Sequence, residues 1–331
     1  MPSQRNKPGN WREAQDALVN PRLSLSPSRL SDGAFDRFCE IEAKTRNEND
    51  VITEIIPILL GEKRRDYPSA GDVPFGNMED MAPDIFKKPK PDLYWGARPE
   101  QIDRQVKKDL NHQIVPSTRD IYPAVPNLFL EVKGPNGLPA KRTMQACYIG
   151  SMGARAMHAL QCYGQVEPIY DNNAYTFSST YQEGILKIYS HHPAPPSRPG
   201  ESPRYHMTQL NSYALTGDID TLRRGVGALR NARDLAREQR DMLINEANAV
   251  ARAQSADMMS FNGSNSQDTI TSLRGRSIDS DTSADELSLD HPSTTSRTKR
   301  RKKREETCQP PRTTTAEVQS QQVFIGSTPD R

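Results

Sequence analysis

Several short stretches rich in apolar residues and bounded by turn residues predict β-strands. Residues 127–133, NLFLEVK, form the clearest one. Its apolar side chains fall on both faces, as in a central strand covered on both sides of a sheet. A shorter strand begins at Asp92 and ends at Gly96. Further strands are predicted at 174–179, 185–190 and 204–212.

Helical periodicity appears in four other stretches. Ser31 is placed to cap a first helix, and a second helix is predicted from about Asn47 to Gly61. A third, at about 139–163, is rich in Ala and Gly, which would let it lie close on a sheet. The fourth, at about 218–253, is strongly charged with one apolar stripe.

Residues 1–30 and 254–331 lack sustained periodicity. Only 34% of the chain is hydrophobic and 6% aromatic, whereas an apolar share of about 45–50% is usual. Such polar termini bury too little apolar surface to offset chain entropy. We therefore expect a flexible N-terminal segment (1–30), one folded domain (31–253) and a disordered tail (254–331).

Three polar stretches are expected to connect the predicted elements. Residues 62–90 are rich in Pro and Gly and are predicted to be a loop. Residues 98–122 form a polar insertion with a short helix at about 100–110. His191 and His192 begin a Pro-rich loop, where we expect them to be structural or solvated because no matching ligand spacing accompanies them.

Charge and cysteine usage narrow the classes of function. The chain has 44 basic and 42 acidic residues, which excludes a uniformly basic coat, so nucleic acid would bind through local patches. The four cysteines show no zinc-like spacing and are expected to be reduced. We find no secretory signal, and the longest apolar run, 55–60, is too short to cross a bilayer.

Two acidic residues and a lysine form the candidate catalytic site. Glu131 and Lys133 point to the same face of their strand. If the strand of Asp92 pairs with it antiparallel, Asp92 lies beside Glu131. Two close carboxylates favour a hard cation such as Mg²⁺, with the Val132 carbonyl as a further oxygen ligand. Such an ion polarises a phosphodiester, while Lys133 would hold the attacking water or offset charge on the phosphate.

The same residues also have a plainer interpretation. Asp92 could cap a turn after Pro91, and Glu131 and Lys133 could form an ordinary ion pair on a solvated edge. Sequence spacing alone leaves both interpretations open.

The pair Pro91-Asp92 followed by Glu131-Val132-Lys133 resembles the motif of the PD-(D/E)xK nuclease superfamily. Residues 35–250 resemble an uncharacterised fungal family near that superfamily. The resemblance implies an α/β, restriction-endonuclease-like mixed sheet flanked by helices, and a nuclease that depends on Mg²⁺ or Mn²⁺. The stretches that carry it are KPKPDLYWGARPEQ, NLFLEVKGPNG, QACYIGSMGARAMHAL and YHMTQLNSYALTG.

The resemblance also implies further site residues. An acidic residue on the first helix often joins the metal site of this superfamily, and Glu48 is the candidate, with Glu54 second. Some relatives carry a glutamine and a tyrosine on the helix after the lysine. Lys141, Gln145 and Tyr148 are therefore candidates for substrate binding, although their spacing departs from the QxxxY of the RecB-like group.

We weigh three functions. The first is a metal-dependent nuclease acting on DNA or RNA, which the complete motif favours. The alternative is a non-catalytic module of nuclease fold that binds nucleic acid or protein, which the lack of a basic stripe favours. A helical interaction protein built on 218–253 is the weakest, since it ignores the sheet.

One basic run stands in the polar tail, and it predicts a nuclear localisation signal read by an import receptor. A non-specific nucleic-acid tail is the competing interpretation. The run consists of Lys299, Arg300, Arg301, Lys302, Lys303 and Arg304.

Overall fold

Six strands form one mixed sheet, in which they follow one another in chain order from edge to edge. The computed structural model describes residues 7–62, 65–81, 88–137 and 139–264, without the side chains of 139, 141, 142 and 257–264. The β3–β4 pair is parallel and every other neighbouring pair is antiparallel. The strands are β1 (Ser69–Ala70), β2 (Leu93–Ala97), β3 (Ala124–Val132), β4 (Thr176–Gln182), β5 (Ile185–Ala194) and β6 (Arg204–Ala214).

Helices flank this sheet, so the expected mixed α/β class is confirmed. One π-helical turn, Val51–Ile55, joins the third and fourth helices, and 3-10 turns occur at Leu23–Leu25 and Pro99–Gln101. The α-helices are α1 (Trp11–Val19), α2 (Asp32–Lys44), α3 (Glu48–Asp50), α4 (Ile56–Leu60), α5 (Arg104–Asp109), α6 (Asn111–Ile114), α7 (Pro139–Gln161) and α8 (Ile219–Ser264).

Helix α7 makes the crossover that the parallel β3–β4 pair requires. Two glycines let it lie directly on the sheet. A Cβ atom at Gly153 would lie 2.6 Å from the Phe129 ring, and one at Gly150 would overlap the ring of His191. The prediction that the small residues of this helix allow close packing is therefore confirmed.

The two faces of β3 contribute to different hydrophobic clusters, as its alternating side chains predict. Leu128, Leu130 and Val132 pack in a cluster that also contains residues of α1, α2, α4 and α8. Phe129 packs on the opposite face, in a cluster that includes Met152 of α7. Glu131 follows Phe129 on the same face by this alternation, and it is buried there.

The expectation of a flexible N-terminal segment is wrong for residues 7–30. Ala14 and Leu18, four residues apart on α1, are buried against α8 and β6. Gln15 donates a hydrogen bond from Nε2 to the Leu210 carbonyl of the edge strand β6 at 2.8 Å. A helix this short is marginal alone, and tertiary packing of its apolar face stabilises it.

The predicted loop at His191 and His192 is also wrong, because both residues belong to β5 and are 1% exposed. Burial lowers the pKa of His191 to about 3 and that of His192 to about 4, so both rings are neutral near pH 7. β4 pairs with β5 no further than His191. Pro193 therefore lies where β5 has a neighbour on one side only, a position that tolerates a proline.

Other predicted boundaries change in detail. The 98–122 insertion is folded rather than peripheral, since Val106 of α5 and Ile114 of α6 are fully buried. Helix α8 continues beyond residue 253 to Ser264, and the rest of the expected tail, with the basic run at 299–304, lies outside the described residues. No described helix is both long and apolar enough to cross a membrane.

Candidate functional site

The register between β2 and β3 brings the two predicted carboxylates to the same end of the sheet. Leu93 pairs with Leu130 in an antiparallel ladder, so the preceding Asp92 stands opposite Glu131. The backbone N–H of Val132 donates a hydrogen bond to Asp92 Oδ2 at 2.7 Å. Asp92 is thereby anchored to the strand that carries the other two motif residues.

Lys133 completes this group from the position just after β3. Its Nζ lies 2.8 Å from Glu48 Oε2 and 3.9 Å from Asp92 Oδ2, and its side chain is 15% exposed. Glu48 begins α3, whereas Glu54 is exposed on the following π turn. Of the two acidic candidates on this segment, the structure places Glu48 against the lysine.

Glu131 is the most buried member of the group, with 2% of its surface exposed. Its Oε1 atom has no hydrogen-bond partner among the described residues. Burial, followed by the negative charge of Asp92, raises the pKa of Glu131 to about 8. Burial also raises the pKa of Asp92, against the lowering effects of the Val132 N–H and the Lys133 ammonium. Carboxyl groups perturbed in this way cluster at functional sites.

A tight turn after β3 lets α3 approach the strand end. The Gly137 N–H donates to the Gly134 carbonyl at 2.9 Å, and Gln182 Nε2 donates to the carbonyls of both glycines. A Cβ atom at Gly134 would lie 2.8 Å from Glu48 N. The sequence marks this turn by its Gly-Pro-Asn-Gly run, but the support from Gln182 depends on the β3–β4 pairing and was missed.

The three predicted substrate-binding residues lie in the first half of α7. Gln145 Oε1 is buried and has no hydrogen-bond partner in the described part of the chain. Tyr148 is 8% exposed. The side chain of Lys141 lies outside the described set, and substrate binding by all three stays a prediction.

The oxygen atoms at this strand end are compatible with a magnesium ion only if the ion has few protein ligands and keeps several waters. Within residues 7–62, 65–81, 88–137 and 139–264, no three His, Cys, Asp or Glu side chains are grouped so that they could hold a metal ion. Magnesium usually takes one or two protein carboxylates and keeps several waters. Asp92 and Glu131 supply two neighbouring carboxyl groups, and Glu131 Oε1 is a buried oxygen without a hydrogen-bond partner among the described residues. Metal binding by this pair stays a prediction. The Val132 carbonyl and Glu48 stay predicted ligands.

Fold and site together define a mixed α/β protein with an acidic pair and a lysine at the end of a central strand. The family model described as a domain of unknown function (DUF7924) matches residues 34–247, and the chain belongs to this family. No curated protein and no solved structure matched the chain. The matched range contains all the site residues described above.

Proposed function

We propose that this domain is a metal-dependent nuclease of restriction-endonuclease-like fold that hydrolyses phosphodiester bonds in DNA or RNA. The observation that carries the proposal is the convergence of Asp92, Glu131 and Lys133 at one end of β3, with Glu131 buried and one of its oxygens unpaired. The parallel β3–α7–β4 crossover beside an antiparallel β2 supports the same fold.

Each residue has a proposed role. Asp92 and Glu131 would hold Mg²⁺ or Mn²⁺, with the Val132 carbonyl as an additional ligand. Glu48 pairs with Lys133 in the structure and would have to leave it to become a ligand. The bound ion supplies Lewis acidity toward the phosphodiester and lowers the pKa of water. The Lys133 ammonium, held beside the carboxylates, offers positive charge where negative charge develops on the phosphate.

The test compares cleavage of single- and double-stranded DNA and RNA by the wild type and the Lys133→Ala, Asp92→Ala and Lys44→Ala variants, with Mg²⁺ or Mn²⁺. Removing a donor aimed at developing charge slows a reaction by about 100- to 1,000-fold, which we expect for Lys133→Ala. Asp92→Ala should weaken metal binding. Lys44 is exposed at the end of α2, so Lys44→Ala should cleave like the wild type. Equal residual activity in all four proteins would indicate a contaminant and remove the support for a nuclease.

One observation favours a non-catalytic module of the same fold that binds nucleic acid or protein. The Lys133 ammonium already has a carboxylate partner in Glu48 at 2.8 Å. An ion pair that only stabilises the strand end would produce the same contact. A wild-type protein that binds the metal but cleaves none of the four substrates would favour this module.

We also propose that the basic run at 299–304 directs nuclear import. Replacement of all six residues by alanine should leave a tagged protein in the cytoplasm, as seen by fluorescence microscopy. Unchanged nuclear accumulation would assign the run another role, such as non-specific contact with nucleic acid.

A further inference from the structure

Two buried side chains at paired positions of neighbouring strands each have an oxygen atom without a hydrogen-bond partner among the described residues. Glu131 of β3 is paired in register with Thr180 of β4 across the parallel step. Neighbouring strands are about 4.8 Å apart, and paired residues share a face of the sheet. Thr180 is fully buried, and neither its Oγ1 nor Glu131 Oε1 has a hydrogen-bond partner among the described residues.

Two buried oxygen atoms without hydrogen-bond partners are unfavourable. An unsatisfied buried polar atom costs about 1–3 kcal/mol, whereas an apolar group of the same shape avoids that cost. Valine has nearly the shape of threonine and strongly favours strands. A hydroxyl can donate a hydrogen bond, and an ionised carboxylate can only accept one. The Thr180 hydroxyl can therefore be the donor, and Glu131 Oε1 the acceptor, of one hydrogen bond between the paired residues.

We propose that Thr180 is a positioning residue for the metal site: its hydroxyl donates a hydrogen bond to Glu131 Oε1, whose second lone pair remains available to the ion. This inference rests on the proposed function, because it requires Glu131 to bind a metal. Hydrogen bonds of this kind orient a ligand, and their loss typically weakens metal affinity by about 10- to 100-fold.

The same strand provides a matched control. Thr176 is also fully buried, and its Oγ1 also lacks a partner within the described chain. It lies four residues earlier on the same face of β4, where it pairs with His191 and approaches Gly153. An unpaired hydroxyl therefore occurs at both positions, but only that of Thr180 lies beside Glu131.

The experiment measures the binding of Mn²⁺ alone, by calorimetry and electron paramagnetic resonance, to the wild type and to Thr180→Val, Thr180→Ser and Thr176→Val. We expect Thr180→Val to bind about 10- to 100-fold more weakly, and the other two variants to stay within about threefold of the wild type. Thermal unfolding without metal reports folding separately. Both valine variants should unfold at the wild-type temperature or above it, because each loses an unpaired buried hydroxyl.

Three results would overturn the inference while leaving the proposed function intact. Thr180→Val could bind Mn²⁺ as tightly as the wild type, the two valine variants could lose equal affinity, or Thr180→Ser could bind Mn²⁺ as weakly as Thr180→Val. A wild type that binds no Mn²⁺ would instead remove the metal site itself, and with it both proposals. Weak binding confined to Thr180→Val, with its unfolding temperature preserved, would support the hydroxyl as a positioning group.

Discussion

β3 buries two polar side chains, Asn127 and Glu131, and only Asn127 has hydrogen-bond partners for both of its side-chain polar atoms among the described residues. In the first half of the strand, Asn127 is fully buried and its side chain makes three hydrogen bonds. Its Nδ2 donates to the carbonyls of Tyr175 and Ala236, and its Oδ1 accepts from Arg240 Nη1 at 2.8 Å. At the other end, Glu131 Oε1 has no partner in the described structure.

This difference separates a structural polar cluster from a candidate functional one. Buried polar groups in stable proteins are nearly always hydrogen-bonded, so each exception calls for an explanation. The Asn127 cluster fixes β3 against α8 and leaves its own side-chain oxygen and nitrogen satisfied. The Glu131 end keeps an acidic oxygen available, which is expected where a ligand completes the site.

The largest expected effect is a dependence of stability on pH that comes from the Glu131 end. The pKa of Glu131 rises from 4.5, its ordinary value, to about 8 on folding. The folded protein therefore binds more protons than the unfolded chain between these values. The free energy of unfolding should fall as pH rises through this window, by up to about 5 kcal/mol. Asp92, whose pKa burial also raises, contributes with the same sign.

Glu131→Gln should flatten this decline, because the amide does not titrate. Urea unfolding of the metal-free protein from pH 5 to 9 measures it. Glu54→Gln is the control: Glu54 has the same side chain in an exposed position, so its variant should keep the wild-type decline. Parallel curves for the wild type and Glu131→Gln would show that Glu131 is not buried as described.

The next largest effect should come from the Asn127 end. Asn127→Ala removes the acceptor of a buried guanidinium and the donor to two carbonyls, and we expect a loss of about 3 kcal/mol in unfolding free energy. Asn248 also makes two long-range hydrogen bonds but is half-buried, so Asn248→Ala should lose about 1 kcal/mol or less. Equal losses, measured by urea unfolding at pH 7, would contradict a special role for the Asn127 cluster.

Sequence patterns predicted one part of this comparison and missed the other. Alternation along 127–133 placed Glu131 and Lys133 on one face, and the antiparallel pairing of β2 with β3 brought Asp92 to them. The hydrogen bonds of Asn127 and the position of Thr180 opposite Glu131 could not be predicted, because they depend on which strand or helix packs beside each residue. α1 was missed for a similar reason, since its helix depends on packing against α8 and β6.

A smaller effect should follow from a change in the turn that follows β3. The backbone atoms of Asn47 and Glu48 lie within 3 Å of where a Cβ atom of Gly134 would stand. Gly134→Ala should therefore displace the start of α3, reduce stability by about 1–3 kcal/mol and weaken Mn²⁺ binding. Gly33 of α2 has no atom within 4 Å of the corresponding position. Gly33→Ala should stabilise that helix by up to about 1 kcal/mol, and a similar loss in both variants would exclude the steric explanation.

The smallest expected effect on stability is that of Glu48→Gln. Glu48 makes a 2.8 Å ion pair with Lys133, but its side chain is 42% exposed, and ion pairs open to solvent contribute about 0–1 kcal/mol. Its charge also raises the pKa values of Asp92 and Glu131, so neutralising it relieves repulsion within the acidic group. We expect the unfolding free energy to fall by less than about 1 kcal/mol, with Glu54→Gln unchanged. A loss above about 2 kcal/mol, beyond what an exposed pair contributes, would make the pair structural. Glu48 and Lys133 would then stabilise the fold, as the hydrogen bonds of Asn127 do. The non-catalytic interpretation of this end of β3 would be favoured.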